Sequence, residues 1–164
     1  MLYYFSYGSN MSTPRLADRV QLVRVVTVAR LFKHKLKFHK KGKDSSGKCD
    51  AEYTNNEEDV VHGVVFEMAA SEKLELDSRE GLNNGYEERT VLIYSNNGEE
   101  LEAVMYYAIH IEPSLRPYGW YKEHVLRGAR EHGLPAGYID AIEKIKAILD
   151  PDQGRHEKEL SIYR

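Results

Sequence analysis

Leu2-Tyr3-Tyr4-Phe5-Ser6-Tyr7-Gly8-Ser9-Asn10 opens with an apolar and aromatic run that Gly8-Ser9-Asn10 stops abruptly. The run predicts a first strand, Leu2 to Tyr7, ending in a tight turn. Thr13 followed by Pro14 then predicts an N-cap with proline at the first helical position, and a short helix to about Arg19. A strand that ends in Gly-Ser-Asn and leads into a capped helix presents several backbone N–H groups on one concave side. Such a turn favours an anion or a developing oxyanion. Taken alone it is a weak signal, because most Gly-Ser-Asn turns are ordinary connections.

Beyond this opening, Val23 to Leu31 is rich in β-branched residues and predicts a strand, and the alternation over Lys35 to His39 predicts another. Lys40 to Gly47 has no apolar period and reads as an exposed loop. Val60 to Met68 is again strand-like. Ser71 can cap a helix running through Leu74 and Leu76 to Glu80, which Gly81 ends. Tyr86 to Tyr94 and Leu101 to Ile109 flank Asn96-Asn97-Gly98, a hairpin signal in which both turn residues are expected to take positive φ. The last third changes to helical spacing: Trp120, Val125, Leu126 and Ala129 up to Gly133, then Ala136 to Leu149 with Ile139, Ile142, Ile145 and Leu149 on one stripe. The tail from Asp150 is polar and expected to be loose. No repeat or composition break interrupts residues 1–164, so one α+β domain is expected.

Bulk properties narrow the function. The chain has 164 residues, 41% hydrophobic and 30% charged, with a formal net charge of −3, the profile of a globular chain with no bulk attraction to nucleic acid or anionic membrane. No apolar run approaches the roughly 20 residues of a membrane span. The start of the chain lacks the basic flank of a signal peptide, and Cys49 is the single cysteine, so a reducing cytoplasmic location is expected.

Glu80, at the end of its predicted helix, faces the negative end of the helix dipole, which disfavours its charge. Burial would favour the neutral form further, giving a carboxyl able to take and give a proton near neutrality. Most helix-end glutamates are solvated, and spacing alone does not decide. Twelve tyrosines against four phenylalanines suggest a pocket with apolar walls and hydrogen-bonding tips, for which Tyr121 and Tyr86 are the candidates.

Other chemistries find no support. There is no Gly-x-Ser-x-Gly elbow, no His-x-x-x-His, no Cys-His cluster and no phosphate-cradling glycine loop. His34 and His39 are read as solvated, Cys49 as a small half-buried residue, and the lysines from Lys33 to Lys48 as a solvated basic loop.

Tyr4-Phe5-Ser6-Tyr7-Gly8-Ser9-Asn10-Met11 resembles the opening signature of the γ-glutamylcyclotransferase family. Leu76-Asp77-Ser78-Arg79-Glu80-Gly81 resembles its second signature. Tyr121-Lys122-Glu123-His124 leading into Gly128-Ala129-Arg130-Glu131-His132-Gly133-Leu134-Pro135 is similar to its C-terminal helix region. Three motifs in the family's order, from about Leu2 to Leu149, are more specific than any one of them. Tyr-Gly-Ser-Asn matches the classical branch rather than the Tyr-Gly-Thr of the γ-glutamylamine branch, and the Arg- and Trp-rich stretch of the glutathione-specific branch is missing. The one departure is that Tyr86 follows Gly85 directly, where some relatives have a further residue.

The resemblance implies a mixed, partly closed β-barrel surrounded by helices, and release of 5-oxoproline from γ-glutamyl amides. It implies Glu80 as the catalytic acid and base, with Tyr7, Gly8, Ser9, Asn10, Tyr86 and Tyr121 binding the small-molecule γ-glutamyl substrate. No cofactor, metal, nucleic acid or membrane enters this reading, and a homodimer is left open. Two rivals stand beside it: a non-catalytic glutamyl-binding module of the same fold, and a cyclotransferase for γ-glutamylated amines or biosynthetic intermediates.

Overall fold

β5 (Val60–Met68) is the strand around which the sheet closes in the computed structural model, which describes residues 1–164. It pairs antiparallel with β1 (Leu2–Ser6) on one side and β2 (Val23–Phe32) on the other, with Phe5 opposite Val65 and Leu31 opposite Val61. Its residues Val64, Val65 and Phe66 are buried in succession, so both faces of the strand are covered. β2 continues to β6 (Tyr86–Ser95), β6 to β7 (Glu100–Ala108), and β7 returns to β1 through a parallel pairing of Tyr4 with Val104. That last bridge closes the opening expected of a partly closed barrel. The expected α+β architecture of a mixed barrel with surrounding helices is what the chain adopts.

Several local expectations are corrected. The short helix α1 (Thr13–Ala17) is preceded by Ser12 rather than Thr13 at the N-cap position. Ser71 lies inside α2 (Ala70–Glu80), whose N-cap is Ala69, and Leu74 on that helix is 71% exposed while Leu76 is buried. In the β6–β7 turn only Gly98 takes positive φ, and the closing pair is Ser95 N–H to Glu99 O at 2.9 Å. The loop therefore holds three residues instead of a two-residue mirror-image turn.

The largest correction concerns Lys40 to Gly47. β3 (His34–Lys41) and β4 (Gly47–Tyr53) form a two-stranded hairpin outside the barrel, and β4 was not expected at all. The register slips by one residue between Lys37 and Lys40. Such a bulge breaks the alternation of faces, and Phe38, His39 and Lys40 are consequently buried one after another. His34 and His39, expected in solvent, are also buried, and His39 Nε2 meets Asp50 Oδ2 at 2.6 Å.

Helix α3 (Gly119–Glu131) buries Tyr121, His124, Val125 and Ala129 against the turn that follows β1. The approach is close: a Cβ built on Gly128 would lie 2.5 Å from Met11 Cβ and 2.6 Å from the Met11 carbonyl carbon. Glycine is required here for space, since backbone cannot give way as a flexible side chain does. The second helix of this region, α4, ends at Glu143 rather than Leu149 (Ala136–Glu143).

The tail is not loose. Asp150 is buried and accepts hydrogen bonds from Trp120 Nε1 at 2.8 Å and Arg155 Nη2 at 2.6 Å. α5 (Gln153–Leu160), capped by the Asp152 side chain, then brings Glu159 to Arg15 at 2.7 Å and to His124 Nε2 at 3.1 Å. Tyr163 completes the clasp between His124 Nδ1, at 2.6 Å, and the Ser12 hydroxyl, at 2.8 Å. Burial opposes the Glu159 charge, but the His124 hydrogen bond and the Arg15 charge outweigh it and hold the carboxyl at about 2. His124 is pushed down, chiefly by burial. The two shifts agree if a neutral His124 donates from Nε2 to Glu159 and Arg15 supplies the positive charge.

Two outcomes follow from this packing. Gly128→Ala should gain helix propensity of about 1 kcal/mol yet lose stability overall by about 1–3 kcal/mol, because the added methyl meets Met11 backbone. Urea unfolding reads this as a lower midpoint; an unchanged or higher midpoint would show that the turn yields freely. Glu159 has a depressed folded pKa, so its contribution is present above the unfolded value of about 4.3 and fades as pH falls toward about 2. Glu159→Gln should therefore cost about 1–2 kcal/mol at pH 7, discounted for its partial exposure, with the gap to the parent protein narrowing below pH 4.

Candidate active site

The turn after β1 is held from three sides. Met11 N–H closes it onto Gly8 O at 3.1 Å, His132 Nε2 reaches Met11 O at 2.9 Å, and Gly128 presses on its back. Within it the N–H groups of Gly8, Ser9 and Asn10 have no acceptor in the protein, although Ser9 and Asn10 are buried. Three donors in sequence at the edge of a pocket make the anion-favouring nest that the Gly-Ser-Asn order suggests.

Glu80 is the last residue of α2. Gly81, in the left-handed region at φ 69°, turns the chain away behind it, with Leu82 N–H bonding to Asp77 O at 3.0 Å. The Glu80 side chain is 15% exposed. Its Oε1 accepts from Asn10 Nδ2 at 2.7 Å and from Arg19 at 3.0 Å, while Oε2 has no hydrogen-bond partner. Because Asn10 must turn its NH₂ group toward this carboxylate and toward Tyr4 Oη at 3.2 Å, its Oδ1 is left buried without a partner. An orphaned acceptor beside a free carboxylate oxygen is a ready receptor for a cationic donor.

One pocket is lined by all seven residues singled out in the sequence: Tyr7, Gly8, Ser9, Asn10, Glu80, Tyr86 and Tyr121. Tyr86 and Tyr121 are fixed by β4 and Tyr7 by β7. Tyr86 Oη donates to Cys49 O at 2.6 Å, and Tyr121 Oη accepts from Cys49 N–H at 2.9 Å. Tyr7 Oη donates to Tyr106 O at 2.5 Å. Burial raises the Tyr121 phenol, with Cys49 adding to it, and likewise raises Tyr86 and Tyr7, so these hydroxyls remain neutral donors. Tyr4 is raised by burial and then by the Glu80 charge.

Sequence reasoning missed Tyr4, Tyr106, Arg19 and Lys40. Tyr4 lies in the quoted first strand among three consecutive aromatic residues, Tyr3, Tyr4 and Phe5, and nothing in their order sets it apart. Tyr106 is oriented by Asp77 at 2.5 Å, a contact across 29 residues with no local signal. Arg19 reaches Glu80 across 61 residues, and Lys40 is turned inward by the β3 bulge. The last two also line a second pocket, which shares Ser9, Glu80, Tyr86 and Tyr121 with the first.

No helix is long and apolar enough to cross a membrane. The family model described as AIG2-like family matches residues 60–142. A Homo sapiens protein named gamma-glutamylcyclotransferase is 36% identical over 157 residues, covering 91% of this chain and 79% of that protein. Its Bos taurus counterpart is 35% identical over 147 residues, covering 87% and 78%. A solved structure described as a gamma-glutamyl cyclotransferase superposes with a TM-score of 0.84 at 28% identity, covering 96% of this chain and 98% of that one.

Cys49, expected to be half-buried, is fully enclosed between Tyr86 and Tyr121, and burial pushes its thiol up to about 12. Its thiolate population at pH 8 is therefore far below that of a free cysteine, which disfavours attack by this sulfur. The folded protein should resist a disulfide reagent at pH 8 for as long as the denatured chain takes to react fully. Rapid labelling of the folded protein would contradict this burial.

Proposed function

The chain belongs to the γ-glutamylcyclotransferase family, and we propose that Glu80 carries its reaction: release of 5-oxoproline and an amine or amino acid from a γ-glutamyl amide. The observation that carries this reading is the Asn10–Glu80 hydrogen bond of 2.7 Å, which sets an acid beside the Gly8–Asn10 turn inside one pocket.

The nucleophile is the substrate's own α-amino nitrogen, so no enzyme nucleophile is needed. The α-ammonium docks between Glu80 Oε2 and the unpartnered Asn10 Oδ1. Glu80 takes one proton, and the freed nitrogen attacks the γ-carbonyl carbon, forming the ring C–N bond. The carbonyl oxygen becomes an oxyanion. As the original amide C–N bond breaks, Glu80 returns its proton to the departing nitrogen. The second proton, which the ring nitrogen sheds to become a lactam N–H, passes by the same carboxylate to the released amine, which leaves as an ammonium with Glu80 again a carboxylate. The N–H groups of Gly8, Ser9 and Asn10 and the Tyr121 hydroxyl are the donors for the anionic oxygens of the folded glutamyl chain. Holding that chain in a ring-closing conformation is itself worth several kcal/mol, about 7–11 in well-oriented intramolecular systems.

Every group in this scheme comes from one chain, and the chemistry calls for no cofactor, metal, nucleic acid, membrane or second subunit. The solitary Cys49, free and unpaired, supports a cytoplasmic location.

Glu80→Gln keeps the shape and the hydrogen-bonding reach of the side chain but cannot shuttle a proton. It should reduce kcat for 5-oxoproline release from γ-glutamyl-alanine by about 10²–10⁴-fold. The thermal midpoint should move by only a few degrees. Full activity in a folded Gln variant would remove Glu80 from the mechanism.

A further inference from the structure

The second pocket adjoins the first through Ser9, Glu80, Tyr86 and Tyr121 and is lined by six cationic side chains: Arg15, Arg19, Lys40, Lys43, Lys48 and Arg79. Glu80 is the only acid among its lining residues. Most of this charge is already matched. Arg15 meets Glu159 at 2.7 Å, Arg19 meets Glu80 at 3.0 Å, Lys48 meets Asp44 at 2.9 Å and Arg79 meets Glu75 at 3.1 Å. Lys43 has no ion pair, but it is exposed and hydrated.

Lys40 differs from all of these. The residue is only 8% exposed, its ammonium has no ion pair or hydrogen bond, and it sits 4.5 Å from the centroid of the Tyr86 ring. Burial lowers its pKa while the charge of Glu80 opposes that, so its positive form is kept at a cost in desolvation. Its Nζ rests against Gly85 and the Tyr86 ring, makes no hydrogen bond and lines the pocket, so its donors are free for a ligand anion.

We propose that Lys40 is a specificity-determining residue that binds the carboxylate of the departing amino acid, making γ-glutamyl-amino acids rather than γ-glutamyl amines the preferred substrates. The inference rests on the cyclotransferase reading above. Tyr86 borders both pockets, so a substrate whose glutamyl group fills the first leads its leaving group past Tyr86 toward Lys40. In an amino-acid leaving group the carboxylate carbon is two bonds from the scissile nitrogen, which suits a cation placed at the junction. The count of charges argues for a single carboxylate over a phosphate or a longer polyanion, because Lys40 is the one lining cation of a buried residue without an ion pair, while Arg15, whose Nε has no partner, already spends its charge on Glu159. A simple alkylamine leaving group would carry no partner for Lys40 and would leave the ammonium as it stands.

The test compares γ-glutamyl-alanine with γ-glutamyl-ethylamide, which lacks the carboxylate, using 5-oxoproline as readout. The quantity read is the ratio of their kcat/KM values, which does not depend on how much of a variant is folded. The parent protein should favour γ-glutamyl-alanine. Lys40→Met should lower the ratio by about tenfold to hundredfold, the worth of one charge-assisted hydrogen bond. Lys40→Arg, which keeps the charge, should retain more of the ratio than Lys40→Met does. A ratio unchanged in Lys40→Met, whether both rates persist or both fall together, overturns the proposal and leaves Lys40 as a structural cation on Tyr86. Equal turnover of both substrates by the parent overturns it as well. If the parent releases 5-oxoproline from neither substrate, the cyclotransferase reading fails and takes this inference with it.

Discussion

The hydrogen bond from Asn10 Nδ2 to Glu80 Oε1 joins the end of the first strand to the end of α2 across 70 residues of sequence. It does more than connect two elements. By committing the Asn10 amide group to Glu80, it determines which way the side chain faces, and so leaves Oδ1 as the unmatched acceptor in the pocket. By occupying Oε1, together with Arg19, it leaves Oε2 as the carboxylate oxygen open to a ligand. One contact thus sets the polarity of two functional groups at once. Loss of either partner would disorder both.

That contact is short only because the elements carrying it cannot drift. The β1 turn is trapped between the barrel and α3, where Gly128 allows the helix to sit against Met11 backbone. α2 is anchored by buried Leu76 and by Lys73, which pairs with Asp77 and Glu88. Asp77 in turn receives the Tyr106 hydroxyl, tying the helix to β7. The tail clasp through Glu159 secures Arg15, one of the walls of the outer pocket. Rigidity here has a chemical purpose: an intramolecular cyclisation gains most from positioning, and positioning demands a pocket whose walls do not move.

The parts of this arrangement legible in the sequence are those whose signals are local. The strand-turn-helix at Leu2–Ala17, the hairpin at Asn96–Gly98 and the Glu80-Gly81 helix end announce themselves through turn chemistry and periodicity. Seven pocket residues could be named because they fall within those local signals or the motifs they resemble. What stayed hidden depends on long-range contact or on a break in pattern. Nothing near Arg19 announces a partner 61 residues away. The Asp150–Arg155 and Arg15–Glu159 pairs order a tail whose composition alone is that of solvent-exposed chain. The lysine-rich stretch was the most misleading, because a bulge changes faces without any residue that advertises it. Lys40 looks like its neighbours Lys41 and Lys43 in sequence and differs from both in burial.

That difference also resolves an apparent conflict between the charge of the whole and the charge of the site. A chain of net charge −3 offers no general attraction to anions, yet its outer pocket gathers cations from α1, β3, β4 and α2. A γ-glutamyl-amino acid carries two carboxylates and one ammonium near neutral pH. Its ammonium needs acceptors and its carboxylates need donors, all within the span of a folded dipeptide. In the proposed reading Glu80 and Asn10 Oδ1 serve the first need, the backbone nest and Tyr121 serve the anionic oxygens of the glutamyl group, and Lys40 serves the carboxylate of the leaving amino acid. Pairing the remaining cations internally keeps the pocket from becoming a general polyanion trap, since each paired guanidinium or ammonium must lose its carboxylate before it can serve a ligand. On that proposal, selectivity for a singly charged leaving group depends on how many cations are left unmatched, and not on how many are present.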